Sequence, residues 1–306
     1  MKESEVIIVD STPIDKYIEI IKNAVNYAII SLPFTFNRLG LTNCVFRVKN
    51  ITKGKIAEGL LQFFCEENNI NIDFKSCETP FWKIDNKDFI LNGNEWDQKN
   101  NIYYAHPYKL KYNYTDLPAL VFNKSEFDTW AKRNENVNVG NNGVTFLFTF
   151  LKGADLINGK RNREFFDVVI NEDQQKFISE LYLRYQGRPQ KFEPFTEEWF
   201  FDELKKRGST NFIKIYDYPD LIITGYADNE VFGKFKPIGP SINENNYIDL
   251  IEPYWYSKTK NGYINFMNGT MWIKLTNAVC PVKELKSFSS MFPNLKDNIK
   301  YGKFQQ

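Results

Sequence analysis

A single histidine, His106, stands in a chain of 306 residues, and that scarcity removes several chemistries at once. A zinc protease of the HExxH kind needs two, and most Ser-His or Cys-His nucleophilic schemes need one that is placed beside the nucleophile. Cysteine is almost as sparse. Cys44, Cys65, Cys77 and Cys280 form no CxxC pair, so a structural zinc site lacks its ligands. No GxSxG elbow and no GxxxxGK[ST] loop occurs, which leaves serine hydrolases and P-loop enzymes without an anchor. The chain opens with no charged, apolar, small-residue leader and holds no apolar run long enough to span a bilayer. These absences lead us to expect a cytoplasmic protein with reduced thiols, in which Asn-x-Ser/Thr matches such as Asn50-Ile51-Thr52 carry no meaning. Net charge is nearly missing too: 39 Lys and Arg against 38 Asp and Glu give +1. Nucleic acid is then not held by overall charge, although a local basic cleft stays open.

Acids and lysines are plentiful instead. A two-carboxylate glycosidase remains open on residue types, but no substrate-shaped motif points to it. An acid two residues before a lysine occurs at Asp73/Lys75, Asp85/Lys87, Asp97/Lys99, Glu203/Lys205 and Glu284/Lys286. The triplet alone decides nothing, and its surroundings do. Only Asp97/Lys99 follows both a short apolar run opening on an acid, Asp88-Phe89-Ile90-Leu91, and a turn containing Gly93. That pattern predicts a hairpin with Asp88 on one strand and Asp97 and Lys99 on the next. Side chains alternate along a strand, so Asp97 and Lys99 share a face. Glu203 and Lys205 lie in a helical pattern, where residues two apart point in different directions. Two carboxylates hold a hard cation through oxygen, and a cation with an ammonium beside it activates water and stabilises charge on a phosphate. The plain alternative is a solvated hairpin face, with Phe89 and Trp96 supplying its buried side.

The stretch from about Lys53 to Phe150 resembles the PD-(D/E)xK nuclease superfamily, and within it the type II restriction endonucleases. The matching features are the helix KGKIAEGLLQFF with Glu58, an apolar strand at Asn71 to Phe74, the strand opening at Asp88, the strand of Asp97 and Lys99, and LPALVF as the next core strand. One departure is plain. The family's proline before the first acid is replaced by Lys87, which leaves Asp85 as a rival to Asp88.

The resemblance implies an α/β fold with a restriction-endonuclease-like mixed central sheet flanked by helices, and cleavage of double-stranded DNA with Mg2+. It implies that Asp88 and Asp97 ligate the metal, that the backbone carbonyl of Gln98 adds a ligand, that Glu58 assists through water, and that Lys99 positions or activates the attacking water. A homodimer is the common working form of such enzymes. A repair or phage-defence nuclease with the same core is a second reading. A non-catalytic DNA-binding or scaffold protein is a third.

Around this stretch the chain reads in three parts. Ile14, Tyr17, Ile18, Ile21, Val25 and Ala28 recur at helical spacing and predict a helix over about 12–32. The core continues through a short helix SEFDTWAKR to GVTFLFTFLK, an unbroken apolar run suited to a strand buried on both faces. NEDQQKFISELYLRYQG and PFTEEWFFDELKKRG carry the start and stop signals of two further helices. We therefore expect a nuclease core with its N-terminal helix over 1–208 and a β-rich C-terminal region over 209–306, either a small domain suited to DNA recognition or a β extension of the core. Its aromatics, Tyr216, Tyr218, Phe232, Trp255, Tyr256, Phe266 and Trp272, suit base stacking or, more commonly, a β core.

Basic side chains supply the remaining DNA-contact candidates. Lys160, Arg161 and Arg163 fall in a loop-like GKRNR segment, and Lys205, Lys206 and Arg207 close a helix. For both groups a solvated surface is the competing account. Tyr103, Tyr104, His106 and Lys109 follow Lys99 closely enough to orient substrate, with His106 before Pro107 fitting a structural role better than that of a general base.

Overall fold

The computed structural model describes residues 1–35, 43–81, 87–104, 113–121, 144–153, 156–157, 160–161, 165–185, 195–238, 263–266, 269–272 and 277–305. Strand β1 (Ile7–Val9) leads into two long helices, α1 (Ile14–Thr35) and α2 (Cys44–Glu67). Next come a hairpin, β2 (Phe89–Leu91) with β3 (Asn94–Tyr104), and the strands β4 (Pro118–Val121) and β5 (Val144–Gly153). Two short strands, β6 (Leu156–Ile157) and β7 (Lys160–Arg161), pair with each other. Strand β8 (Phe166–Val168) precedes helices α3 (Glu172–Tyr185) and α4 (Glu197–Lys206). Then follow β9 (Ile213–Ile215), β10 (Asp220–Ala227), β11 (Lys236–Ile238), β12 (Tyr263–Phe266) and β13 (Gly269–Trp272). The chain closes with β14 (Asn277–Pro281), β15 (Lys286–Ser287) and β16 (Lys303–Phe304).

The central sheet runs in the order β16-β1-β10-β5-β3-β2, with β15 also paired to β10. It is mixed: β3 and β5 are parallel, and the other pairings are antiparallel. Strand β5 explains why its sequence is apolar throughout. Leu147 and Leu151 point into the larger core, which packs against α1 to α4, while Phe146, Phe148 and Phe150 point into a second core on the opposite face. A three-stranded sheet, β11-β14-β4, covers that second face. The central sheet is thus layered between helices on one side and a small sheet on the other.

Helix α1 matches the periodicity of its sequence: Tyr17, Ile21, Val25 and Ala28 are buried together. Helix α2 starts at Asn43, whose side chain accepts the Phe46 N–H at 2.9 Å. The two helices approach closely at Gly59, where a Cβ would stand 2.7 Å from Ile20 Cγ2. Helix α3 follows the acidic start read from NED, and α4 is capped by Thr196 as its sequence predicts. No helix among the described residues is long and apolar enough to cross a membrane.

Two expectations need correction. LPALVF is not the next strand of the central sheet, because its residues 118–121 form β4 beside β14. The neighbour of β3 is β5, whose ten residues can pair along the length of β3 and present apolar side chains to both layers. Asn71 to Phe74 makes only an isolated bridge, Asp73 to Ile90. There Asp73 accepts the Ser76 N–H at 2.9 Å and turns the chain into a 3-10 turn. After residue 208 the chain follows the β extension of the core and not the separate domain. Strand β10 lies between β5 and β1, and β16 borders β1, so the C-terminal residues complete the central sheet. The segment SEFDTWAKR lies outside the described residues.

Candidate active site

The hairpin that carries the acids is built as its sequence requires. Leu91 pairs with Asn94 across a two-residue turn in which Asn92 and Gly93 both have positive φ, 52° and 76°. Phe89 faces Trp96, their rings stack at 5.7 Å between centroids, and both are buried in the core beneath the helices. The register is thereby pinned, since a slip of one residue would expose both aromatics. One step beyond Phe89, the Asp88 N–H donates to the Trp96 carbonyl at 2.7 Å. The Asp88 carboxylate turns back and accepts the Gln98 N–H at 2.6 Å.

Asp97 and Lys99 point to the face opposite Trp96. Lys99 Nζ lies 2.8 Å from Asp97 Oδ2 and 4.8 Å from the centroid of the Phe146 ring, so the ammonium is held between a carboxylate and an aromatic face. Both side chains are partly accessible, 16% for Lys99 and 20% for Asp97. Glu58 comes from the other side. It projects from α2 into a cleft of about 540 Å³ lined also by Tyr27, Lys55, Phe63, Lys87 and Asp88. Neither Asp97 nor Lys99 lines that cleft, and Asp88 is the residue that links the two halves.

Electrostatics record the link. Burial pushes the Asp88 carboxyl well above the ordinary carboxylate value, and the charges of Glu58 and Asp97 push it further. The Lys55 ammonium and the Gln98 N–H act in the other direction without cancelling these effects. Each flanking acid has its own lysine: Asp97 has Lys99, and Glu58 has Lys55 at 2.6 Å. Among the described residues no group of three or more His, Cys, Asp or Glu side chains is placed so that it could hold a metal ion. The expected set of Asp88, Asp97 and Glu58 is therefore electrostatically coupled without being gathered into one shell.

The remaining candidates fall elsewhere. Lys206 and Arg207 both pair with Glu203, at 2.5 and 2.7 Å, and Arg207 stands 4.1 Å from the Phe177 ring centroid, so these two cations close their own helix end. Lys205 is exposed on the same turn. Lys160 and Arg161 form strand β7, but their side chains and Arg163 lie outside the described residues, as do Asp85, His106, Lys109, Trp255 and Tyr256 and the side chains of Tyr103, Tyr104, Phe266 and Trp272. Of the other C-terminal aromatics, Tyr218 packs 5.4 Å from Tyr17, Phe232 lies against the second core, and Tyr216 donates to Asp167 at 3.0 Å.

Sequence reasoning missed Lys55, Tyr27 and Lys87. Lys55 precedes Glu58 by three residues, which is a readable helical pair. Tyr27 comes from the facing helix and has no sequence signal. Comparison with protein families, with curated proteins and with solved structures finds no match to this chain.

Proposed function

We propose that this protein is a Mg2+-dependent endonuclease of the PD-(D/E)xK type that hydrolyses phosphodiester bonds of double-stranded DNA, working as a type II restriction enzyme. The observation that carries the reading is the half-buried Asp88 carboxyl, set against the charges of Glu58 and Asp97 with Lys99 beside Asp97. A carboxylate crowded in this way costs stability, and cation binding offsets the cost. Magnesium keeps much of its water and takes only one or two carboxylates, so Asp88 and Asp97 are a sufficient protein donor set, with the Gln98 carbonyl as a further oxygen and Glu58 acting through water. The bound ion would supply Lewis-acid stabilisation of the phosphate.

The chain's own groups do the rest. Lys99 holds a water at the phosphate and shields the charge that develops there, while Phe146 keeps the ammonium from swinging away. Asp97 sets the position of Lys99 through the 2.8 Å ion pair. The Gln98 N–H orients the Asp88 carboxylate.

Digestion of long duplex DNA by the purified protein, with and without Mg2+, tests this function. Discrete fragments that require Mg2+ and disappear in Asp97→Asn and Lys99→Ala are the expected result, with a loss of roughly 10²–10³-fold or more. Unchanged cleavage in either variant, or no cleavage by the natural sequence, would sink it.

A further inference from the structure

Lys55 sits where a metal would compete with it. Its ammonium lies 2.6 Å from Glu58 Oε2 and 4.8 Å from the centroid of the Tyr27 ring, so α1 and α2 together fix it at the wall of the cleft that ends on Asp88. Both partners are partly accessible, with side-chain exposures of 23% for Lys55 and 26% for Glu58. A helical i,i+3 pair on open surface would gain little and move freely. Here the aromatic seat on the facing helix holds the ammonium in one place.

We infer that Lys55 is the built-in counter-ion of this site: in the metal-free protein it holds Glu58, and a divalent cation on Asp88, reaching Glu58 through water, must compete with Lys55 for that carboxylate's charge. Lys55 would thus be a positioning residue that sets metal affinity, standing opposite Lys99 across Asp88. The inference rests on the nuclease reading for its metal, but it concerns this chain's own charge balance and can be measured without any cleavage.

The test is calorimetric titration of Mg2+ into the full chain without DNA, for the natural sequence, Lys55→Met, Lys55→Arg and Tyr27→Leu, together with melting in EDTA. Lys55→Met should bind Mg2+ about two- to fivefold more tightly, in line with loss of one partly sheltered ion-pair competitor. It should also melt lower than the natural sequence in EDTA and recover when Mg2+ is added, because Glu58 then loses the 2.6 Å ion pair with Lys55. Lys55→Arg should restore the natural affinity, and Tyr27→Leu should fall between. Equal Mg2+ affinity in Lys55→Met and the natural protein would overturn the role of Lys55 and leave the nuclease reading standing. Absence of Mg2+ binding by the natural protein would overturn both.

Discussion

Asp88 is the residue on which the account turns, and its cost should be measurable. Its folded-state pKa is raised above the ordinary value of 3.8, first by burial and then by Glu58 and Asp97. Below pH 3.8 the carboxyl is protonated whether the chain is folded or not. Between that value and the raised one, the folded protein keeps a proton that the unfolded chain has released, so stability falls as pH rises through this window and then levels off. Asp88→Asn removes the charge while keeping the shape. We expect it to be more stable than the natural protein at neutral pH by roughly 1–2 kcal/mol and to lose cleavage altogether. Urea melts at pH 4 and pH 7.5 would check this: the two proteins should differ at pH 7.5 and converge toward pH 4. A difference of the same size at both pH values would show that Asp88 is not a buried charge. Lys99→Ala should behave differently, losing activity at a stability cost of no more than about 1 kcal/mol, since its ion pair is partly exposed.

At the level of elements, the hairpin and the helices were legible in the sequence because each is governed by neighbours in the chain. Asn92-Gly93 demands a tight turn, Phe89 and Trp96 fix the register, and Thr196 and the cations of α4 mark both its ends. Spacing of two then sufficed to put Asp97 beside Lys99. The partner of β3 was not legible. Both PALV and GVTFLFTFLK are strand-like, and the choice between them depends on which face each buries, which is a tertiary matter. Tyr27 was missed for the same reason, since the α1–α2 crossing is what brings it to Lys55. That crossing gives a prediction. Gly59 adjoins Glu58 and meets Ile20 so closely that a larger side chain must push the helices apart. Gly59→Val should cost about 1–3 kcal/mol in a denaturant melt and loosen the Lys55–Tyr27 contact, and Gly54→Ala, with open space around it, should not destabilise.

For the whole molecule, chain order and spatial order part company after residue 208. Composition there shifts to short β-like runs, which suggests a separate region, yet β10 lies between β5 and β1 in the central sheet. Its Leu221, Ile222 and Ile223 are fully buried, with neighbours in both cores. A chain ending at Gly208 should therefore show no cooperative melting transition, and a folded, soluble fragment would show that the β10 layer is dispensable. The same layering places the candidate site at the β2–β3 end of the sheet, with Glu58 arriving from the helical layer and Asp97 and Lys99 from the opposite face. Asp88 lines the cleft of Glu58 and feels the charge of Asp97, which is why one carboxylate can report on the whole arrangement. The most direct measurement is the melting temperature of the natural protein and of Asp88→Asn with and without Mg2+ at neutral pH. If a cation seats on Asp88, Mg2+ raises the melting temperature of the natural protein and leaves Asp88→Asn unmoved. No rise in the natural protein, or an equal rise in both, would contradict a metal site at Asp88.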